Sequence, residues 1–115
     1  MILMNSDVKI GHRVEKLYDI VDCAPFKIVP TQSNDCYEVV TEFDKIVLTG
    51  DAQLQQPNGN YIFVERIKPY TTSLKHVSGV AVVKAVNKLP ASLNVCHIAG
   101  TDYVIVNGYY VASEG

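Results

Sequence analysis

The chain has 115 residues, which is enough for one domain with one hydrophobic core. Hydrophobic residues make up 48% of the sequence and charged residues 19%, a composition that excludes a mostly disordered protein. Ten basic and twelve acidic residues give a formal net charge of −2, so the chain lacks the basic surplus of nonspecific nucleic-acid binders.

The cysteine pattern and the lengths of the apolar runs indicate the compartment. Three cysteines are present, and the sequence has no Cys-x-x-Cys motif and no Asn-x-Ser/Thr acceptor site. An odd cysteine count favours a reducing environment, and no run approaches the roughly 18 apolar residues that span a bilayer. We therefore expect one cytoplasmic domain over residues 1–115, with no membrane partner, no cofactor and no metal site.

In chain order, the first patterned region begins at Val8. The apolar residues of 8–17 alternate in part, as in a strand, whereas those of 12–23 have helical spacing, so strand and helix both fit. Pro25 ends that element. Residues 26–29 then predict a short strand before Pro30, and residues 31–35 predict a polar turn.

The central region predicts three strands. Residues 36–43 are rich in β-formers, and residues 46–49 can return as their partner. Pro57 and Gly59 predict a tight turn, after which residues 61–67 alternate as a strand. The expected core-facing side chains of this strand are Tyr61, Phe63, Glu65 and Ile67.

Residues 74–89 carry two conflicting patterns. Their apolar positions fit a helical stripe, whereas four valines favour a strand and Gly79 weakens a helix by roughly 1 kcal/mol. We take the helix as the working prediction and keep the strand as the alternative. Residues 93–98 predict one more strand before the C-terminal segment.

The C-terminal segment, DYVIVNGYYVAS, predicts a β-hairpin with a type I′ turn at Asn107-Gly108. One predicted face carries Tyr103, Ile105, Tyr110 and Ala112, and the other carries Val104, Val106, Tyr109 and Val111. Because both faces are apolar, something has to cover the second one. The helix predicted at 74–89 could cover this face within the chain, or a second subunit could do so. We favour the second subunit and therefore expect a homo-oligomer.

Residues 8–67 resemble small SH3-like barrels of the KOW and Tudor type. The resemblance rests on the glycine turn and strand in KIGHRV (9–14), a second strand at 25–29, and the closely spaced hairpins of 36–67. It implies a small barrel that binds nucleic acid or protein tails. The expected fold class is thus mainly β (α+β): an antiparallel small barrel or curled sheet, with one or two short helices and a C-terminal hairpin. Residues 8–67 are the barrel-like part, and residues 73–115 are expected to form a helix and the hairpin.

Cys96-His97 is the one adjacent pair in the sequence that could form an activated thiolate. In a strand, however, neighbouring side chains point to opposite faces, so Cys96 would need a histidine from elsewhere, such as His12 or His76. No Walker, GxGxxG or GxSxG motif is present. We therefore interpret Cys96 as a buried structural cysteine and predict no catalytic residue.

The main functional prediction is a non-catalytic binding or assembly protein that acts as a homo-oligomer, such as a viral or mobile-element accessory protein. The first alternative is a protein that binds an anionic, nucleotide-like ligand at a subunit interface, and the second is an enzyme that uses Cys96 or His97. Expected partners are a second copy, another protein or an anionic small ligand. The candidate binding residues are Lys9, Arg13, Lys16, Arg66, Tyr103, Tyr109 and Tyr110.

Overall fold

The computed structural model of the chain describes residues 2–3, 27–90, 92–99 and 103–112. Within these residues the regular structure is eleven β-strands and a single 3-10 turn at Val64–Arg66. In chain order the strands are β1 Ile2–Leu3, β2 Lys27–Ser33, β3 Cys36–Thr41, β4 Lys45–Thr49, β5 Gln53–Gln55, β6 Tyr61–Phe63, β7 Ser73–His76, β8 Gly79–Lys88, β9 Leu93–Ala99, β10 Tyr103–Val106 and β11 Tyr109–Ala112. The predicted mainly β, antiparallel class is confirmed.

Neighbouring strands lie in the order β2-β9-β1-β4-β3-β8-β7-β11-β5-β6, and β10 pairs with β11. The long strand β8 joins two parts of this arrangement, because its first residues pair with β7 and its later residues pair with β3. The register shifts where β8 changes partner, between Val40 and Thr41 of β3. At that point the backbone N–H of Val82 donates to the carboxylate of Glu42, at 3.0 Å.

One cluster of buried apolar side chains forms the core. β8 shows why these residues make a strand: Ala81 and Val83 are fully buried, whereas Val80 and Val82 are exposed, and this alternation has a period of two. The members of the cluster are Val39, Ile46, Leu48, Ala52, Leu54, Val64, Ile67, Leu74, Ala81, Val83, Val106, Tyr109 and Val111.

The helix predicted over 74–89 is wrong. These residues form the β7–β8 hairpin, in which Ser73 pairs with Val82 and His76 pairs with Gly79. Gly79 has a φ of 133°, which is open to glycine but strained for other residues, so it allows the chain to reverse at that point. The valines that follow fit the pleated surface of the sheet.

The strand predicted over 61–67 is too long. It ends at Phe63, and the 3-10 turn Val64–Arg66 changes which side chains face inward. Val64 is fully buried, whereas Phe63 is 40% exposed and Glu65 is exposed. Of the four side chains predicted to face the core, only Ile67 is buried there.

Strand β2 is longer than the short strand predicted at 26–29. It runs through Pro30 to Ser33, and its full length pairs with β9, from Lys27 opposite Ala99 to Ser33 opposite Leu93. Among the described residues β9 is its one partner, so Pro30 lies on an edge strand, where a missing backbone N–H is tolerated. The turn predicted at 31–35 is therefore confined to the residues after Ser33. The element expected at 12–23 lies outside the described residues.

The C-terminal hairpin is confirmed in its register and its turn. Val106 lies opposite Tyr109, and the central residues Asn107 and Gly108 have φ values of 50° and 83°. Val106 and Tyr109 are fully buried in the core, so the chain itself covers this face of the hairpin. The helix predicted to cover this face does not form, because residues 73–76 and 79–88 are strands β7 and β8, and β7 pairs alongside β11 in the sheet.

No helix among the described residues has the length and the apolar character needed to cross a membrane.

Candidate functional site

The first site of interest lies around β1, which is held between β4 and β9. Ile2 is opposite Leu48 on one side and Cys96 on the other. Directly opposite residues of antiparallel strands have Cα atoms about 4.5–5.5 Å apart, so the backbone of β1 lies next to the Cys96-His97 segment. We call this row of strands the β1 site.

Both strands that flank β1 carry chemically active residue types one position further on. Thr49 follows Leu48 on β4, and His97 follows Cys96 on β9. Because both strands run antiparallel to β1, Thr49 and His97 lie beyond Ile2, on the side away from Leu3. The register therefore brings a hydroxyl-bearing, a thiol-bearing and an imidazole-bearing residue to the same end of β1.

Thr49 is 2% exposed, and its Oγ1 donates to Asp51 Oδ1 at 2.5 Å. The sharp turn that brings Asp51 back toward Thr49 passes through Gly50. A Cβ atom at Gly50 would lie 2.8 Å from the Tyr37 ring and 3.0 Å from the Asp35 carboxylate. Any larger residue at position 50 would therefore have to displace the side chains of Tyr37 and Asp35.

Cys36 is a second thiol near this end of β4, since it lies opposite Thr49 in the β3–β4 ladder. It is fully buried, and its Sγ lies 3.7 Å from the carbonyl oxygen of Ser33. Burial raises the pKa of the Cys36 thiol above its ordinary value of 9.0. The thiolate is the reactive form, so Cys36 is poorly suited to act as a nucleophile.

A second group of polar contacts, which we call the turn cluster, joins the turn after β3 to the C-terminal hairpin. Its residues are Thr41, Asp44, His76, Asn107 and Tyr109. The Tyr109 hydroxyl donates to the backbone carbonyl of Asp44 at 2.6 Å and lies 2.5 Å from Thr41 Oγ1. Burial raises the pKa of Tyr109 above its ordinary value of 10.0, because the phenolate would lose its hydration.

His76 connects the turn cluster to the β7–β8 turn. Its Nδ1 accepts a hydrogen bond from the backbone N–H of Ser78 at 3.0 Å, so Nε2 carries the proton and donates to the Asn107 carbonyl at 2.9 Å. Its ring stacks on Phe43 with centroids 5.0 Å apart and meets Tyr109 edge-on at 4.8 Å. Both ring nitrogens are thus engaged in holding turns, which argues against His76 as the base for Cys96.

The binding residues predicted from the sequence are not assembled into one described site. Arg66 is exposed at the end of the 3-10 turn. The rings of Tyr103 and Tyr110 lie 5.7 Å apart, with Lys75 Nζ 4.4 Å from the centre of the Tyr110 ring. Tyr109 faces the core instead, because successive residues of a strand point to opposite faces. Lys9, Arg13 and Lys16 lie outside the described residues.

No group of three or more His, Cys, Asp or Glu residues in the described part of the chain could hold a metal ion. The partners expected from the sequence, namely a second copy, another protein or an anionic ligand, stay predictions.

Sequence reasoning missed most of the β1 site. The strand predicted at 46–49 includes Thr49, but the hydrogen bond from Thr49 to Asp51 is not predicted. No strand is predicted at the start of the chain, where β1 is only two residues long. A usable signal was the Thr-Gly-Asp sequence at the end of a predicted strand, where a hydroxyl and a carboxylate are separated by one glycine.

No protein-family model and no curated protein matches this sequence. The structure, in contrast, is similar to solved inteins. With the VidaL intein the TM-score is 0.66 at 11% identity, over 77% of this chain and 62% of that one. With the MchDnaB-1 intein it is 0.58 at 14% identity, over 85% and 75% of the two chains, and with the gp41-1 intein it is 0.56 at 11% identity, over 76% and 70%. At these identities the likeness shows a shared fold, and the match spans 62% of the length of the VidaL intein.

These neighbours correct three predictions. They are inteins and not SH3-like barrels, so the SH3-like resemblance holds only at the level of a small β-rich domain. Inteins are protein-splicing domains and are catalytic. The prediction of a non-catalytic binding or assembly protein is therefore wrong, and so is the preference for a protein that is not an enzyme. The alternative of an enzyme fits these neighbours better.

Proposed function

We propose that this chain is an intein-type domain that catalyses a peptide-bond rearrangement of the protein-splicing kind. The observation that carries the proposal is the shared fold, which covers 76–85% of the chain in the intein comparisons. The position of the β1 site adds support, because a splicing domain has to act on its own backbone. In this structure the backbone of β1 lies beside a Cys-His pair.

The chemistry that fits the β1 site is an acyl shift. The Cys96 thiolate would add to the carbonyl carbon of a peptide group in or next to β1, and the C–N bond would then break to leave a thioester. The released nitrogen takes up a proton from water, because neighbouring residues of a strand point to opposite faces and His97 directly follows Cys96. Cys36 is poorly suited to this role, because it is fully buried and burial raises the pKa of its thiol.

The test is a fusion in which this chain is inserted between two reporter proteins of different mass. We expect one of two products. The reporters are joined with loss of the insert, or the N-terminal reporter is released when an added thiol attacks the thioester. A Cys96→Ala variant should give neither product. A Cys36→Ala variant should retain both reactions, because its thiol is not used.

Thiol labelling tests the same proposal independently. At neutral pH a mild alkylating agent should modify Cys96 much faster than Cys36, because only a thiolate reacts quickly. Intact fusions under all conditions, together with equally slow labelling of the two cysteines, would rule out an acyl shift at Cys96.

We also propose a mobile-element setting and a cytoplasmic location. The intein-like fold fits a mobile element. The odd number of cysteines supports a reducing compartment. Fractionation of cells that express the tagged chain tests the second point, and recovery in a membrane or extracellular fraction would contradict it.

A further inference from the structure

The chain contains two Asn-Gly pairs, Asn58-Gly59 and Asn107-Gly108, and both lie in tight turns. Their glycines have similar backbone conformations, with φ values of 90° and 83°. The surroundings of the two pairs differ strongly. This contrast bears on a reaction to which Asn-Gly sequences are prone, the attack of the following backbone nitrogen on the asparagine side chain.

The turn at Asn58 is open to solvent. Asn58 and Gly59 are exposed, and a Cβ atom at Gly59 would have no neighbour within 4 Å. The Gly59 N–H donates to the Gln56 carbonyl at 2.9 Å, and the Gln55 side-chain amide donates to the Gly59 carbonyl at 3.1 Å. The Asn58 side-chain oxygen accepts a hydrogen bond from the backbone N–H of Asn60 at 2.9 Å.

That last hydrogen bond lies where negative charge would develop. In the reaction the Gly59 N–H first leaves the Gln56 carbonyl, which the exposed turn allows without breaking core contacts. A base then removes the Gly59 amide proton, and the nitrogen adds to Cγ of Asn58. The side-chain oxygen then becomes an oxyanion, which the Asn60 N–H stabilises. When the oxyanion collapses, the Cγ–Nδ2 bond breaks and ammonia leaves with a proton from water. A five-membered succinimide remains, and water opens it to aspartate or isoaspartate. Glycine favours the attack because it has no side chain to obstruct its nitrogen.

The turn at Asn107 is closed by comparison. The leaving group is held in place, because Asn107 Nδ2 donates to the Lys45 carbonyl at 2.9 Å. Gly108 is buried, and a Cβ atom there would overlap the His76 ring. The Gly108 carbonyl also accepts from the backbone N–H of Val77 at 2.9 Å. Rotation of the Asn107 side chain toward the Gly108 nitrogen therefore requires the hairpin to leave the turn cluster.

We propose that Asn58 is a site of spontaneous succinimide formation and deamidation in the folded protein, and that the turn cluster protects Asn107 from the same reaction. Isoaspartate would add one atom to the backbone between Gln56 and Asn60. The hydrogen bond from the Gln56 N–H to the Asn60 carbonyl, 2.8 Å long, would then be disturbed. Deamidation at Asn58 would thus loosen the β5–β6 hairpin without touching the β1 site.

The experiment is incubation of the full-length protein at neutral and mildly alkaline pH, followed by proteolysis and mass spectrometry of the two Asn-Gly peptides. We expect Asn58 to convert roughly tenfold or more faster than Asn107, because Asn107 has to await local opening. The rate at Asn58 should rise with pH, since a base removes the amide proton.

Two controls make the result decisive. In concentrated urea, where the turn cluster is lost, both peptides should convert at similar rates. An Asn58→Gln variant should lose the fast conversion and leave the Asn107 peptide unchanged, because the extra methylene of glutamine would require a six-membered ring, which closes much more slowly than the five-membered succinimide. Equal rates in the folded protein, or a faster rate at Asn107, would overturn the proposal. The proposal would also be overturned if Asn58 stayed unreacted in the folded protein over a period in which the unfolded chain converts. None of these outcomes depends on whether the chain splices.

Discussion

The hydroxyl of Tyr109 donates to the backbone carbonyl of Asp44 at 2.6 Å, although the two residues are 65 positions apart in the sequence. Thr41 lies 2.5 Å from the same hydroxyl, and Asn107 reaches the neighbouring carbonyl of Lys45 at 2.9 Å. These hydrogen bonds join the turn between β3 and β4 to the C-terminal hairpin. The hairpin is therefore held by polar bonds at its turn as well as by its buried apolar face.

Tyr109→Phe should lower the free energy of unfolding by about 1–2 kcal/mol, because it removes a buried hydrogen bond without opening a cavity. The loss stays moderate because Thr41 Oγ1 is already 3.3 Å from the Asp44 carbonyl and can donate to it instead. Urea unfolding measures the change. Tyr110→Phe is the matched control, since the hydroxyl of this half-buried residue has no part in the turn cluster, and it should change stability by less than about 0.5 kcal/mol.

Alkaline pH should destabilise the fold in two stages. The pKa values of Cys36 and Tyr109 are raised in the folded state above ordinary values of 9.0 and 10.0. The unfolded chain therefore releases these protons first, so the stability that they contribute is complete below about pH 9 and is lost as pH rises through the folded-state values. Urea unfolding at a series of values from about pH 8 to about pH 11 should show this decline in the free energy of unfolding.

Two variants separate the stages. Cys36→Ala should remove the decline that begins near pH 9, and Tyr109→Phe should remove the one that begins near pH 10, where the ordinary values lie. A decline that persists unchanged in both variants would assign the alkaline sensitivity to other groups.

Gly108→Ala should be more harmful than Gly59→Ala, although both replace a glycine at positive φ. At either position a left-handed backbone costs a non-glycine residue roughly 1–2 kcal/mol. At Gly108 the new Cβ atom also meets the His76 ring, which has to move and give up its bond to Asn107. We expect a total loss of roughly 3 kcal/mol or more there. Thermal unfolding of the two variants gives the comparison, and equal losses would contradict the contact with His76.

Glu42→Ala should speed hydrogen exchange at the Val82 amide, because the Glu42 carboxylate is the acceptor for that N–H. The neighbouring Val83 amide is an internal reference, since it donates to the Thr72 carbonyl at 3.0 Å and should keep its protection. Glu42→Gln retains a side-chain oxygen and should behave like the unchanged protein. Faster exchange at both amides would indicate that the whole of β8 is loosened and that Glu42 acts less locally.

The parts of the fold that could be predicted are those that local sequence decides. Asn107-Gly108 determines its own turn, and that turn sets the register of the hairpin. Residues 74–89 carry helical and strand patterns together. The choice is made by pairing with β3, whose residues lie some forty positions earlier and leave no mark in the local pattern. At Val64 a 3-10 turn interrupts the strand, so alternation with a period of two predicts the wrong side chains to face the core.

The β1 site could not be predicted for the same reason. Cys96 and His97 are visible as a pair in the sequence, but their position beside Ile2 depends on contacts between the two ends of the chain. The hydrogen bond between Thr49 and Asp51 spans Gly50, where a larger residue would meet the side chains of Tyr37 and Asp35 from an earlier part of the chain. The sequence therefore shows which residues have chemically active side chains, but it does not show which residues lie next to them in the fold.

The dual pairing of β9 has a consequence for how the chain folds. β2 pairs with β9 along its whole length, and β1 is completed by β9 as well, so both early strands depend on residues 93–99. Contacts of such long sequence separation form late and slow the folding of β-proteins. While the chain emerges from a ribosome, the edge of β2 that pairs with β9 stays unpaired until most of the remaining sequence has been made. A break in the backbone between β8 and β9 would leave the first fragment with an incomplete sheet, which the second fragment could complete only by binding to it.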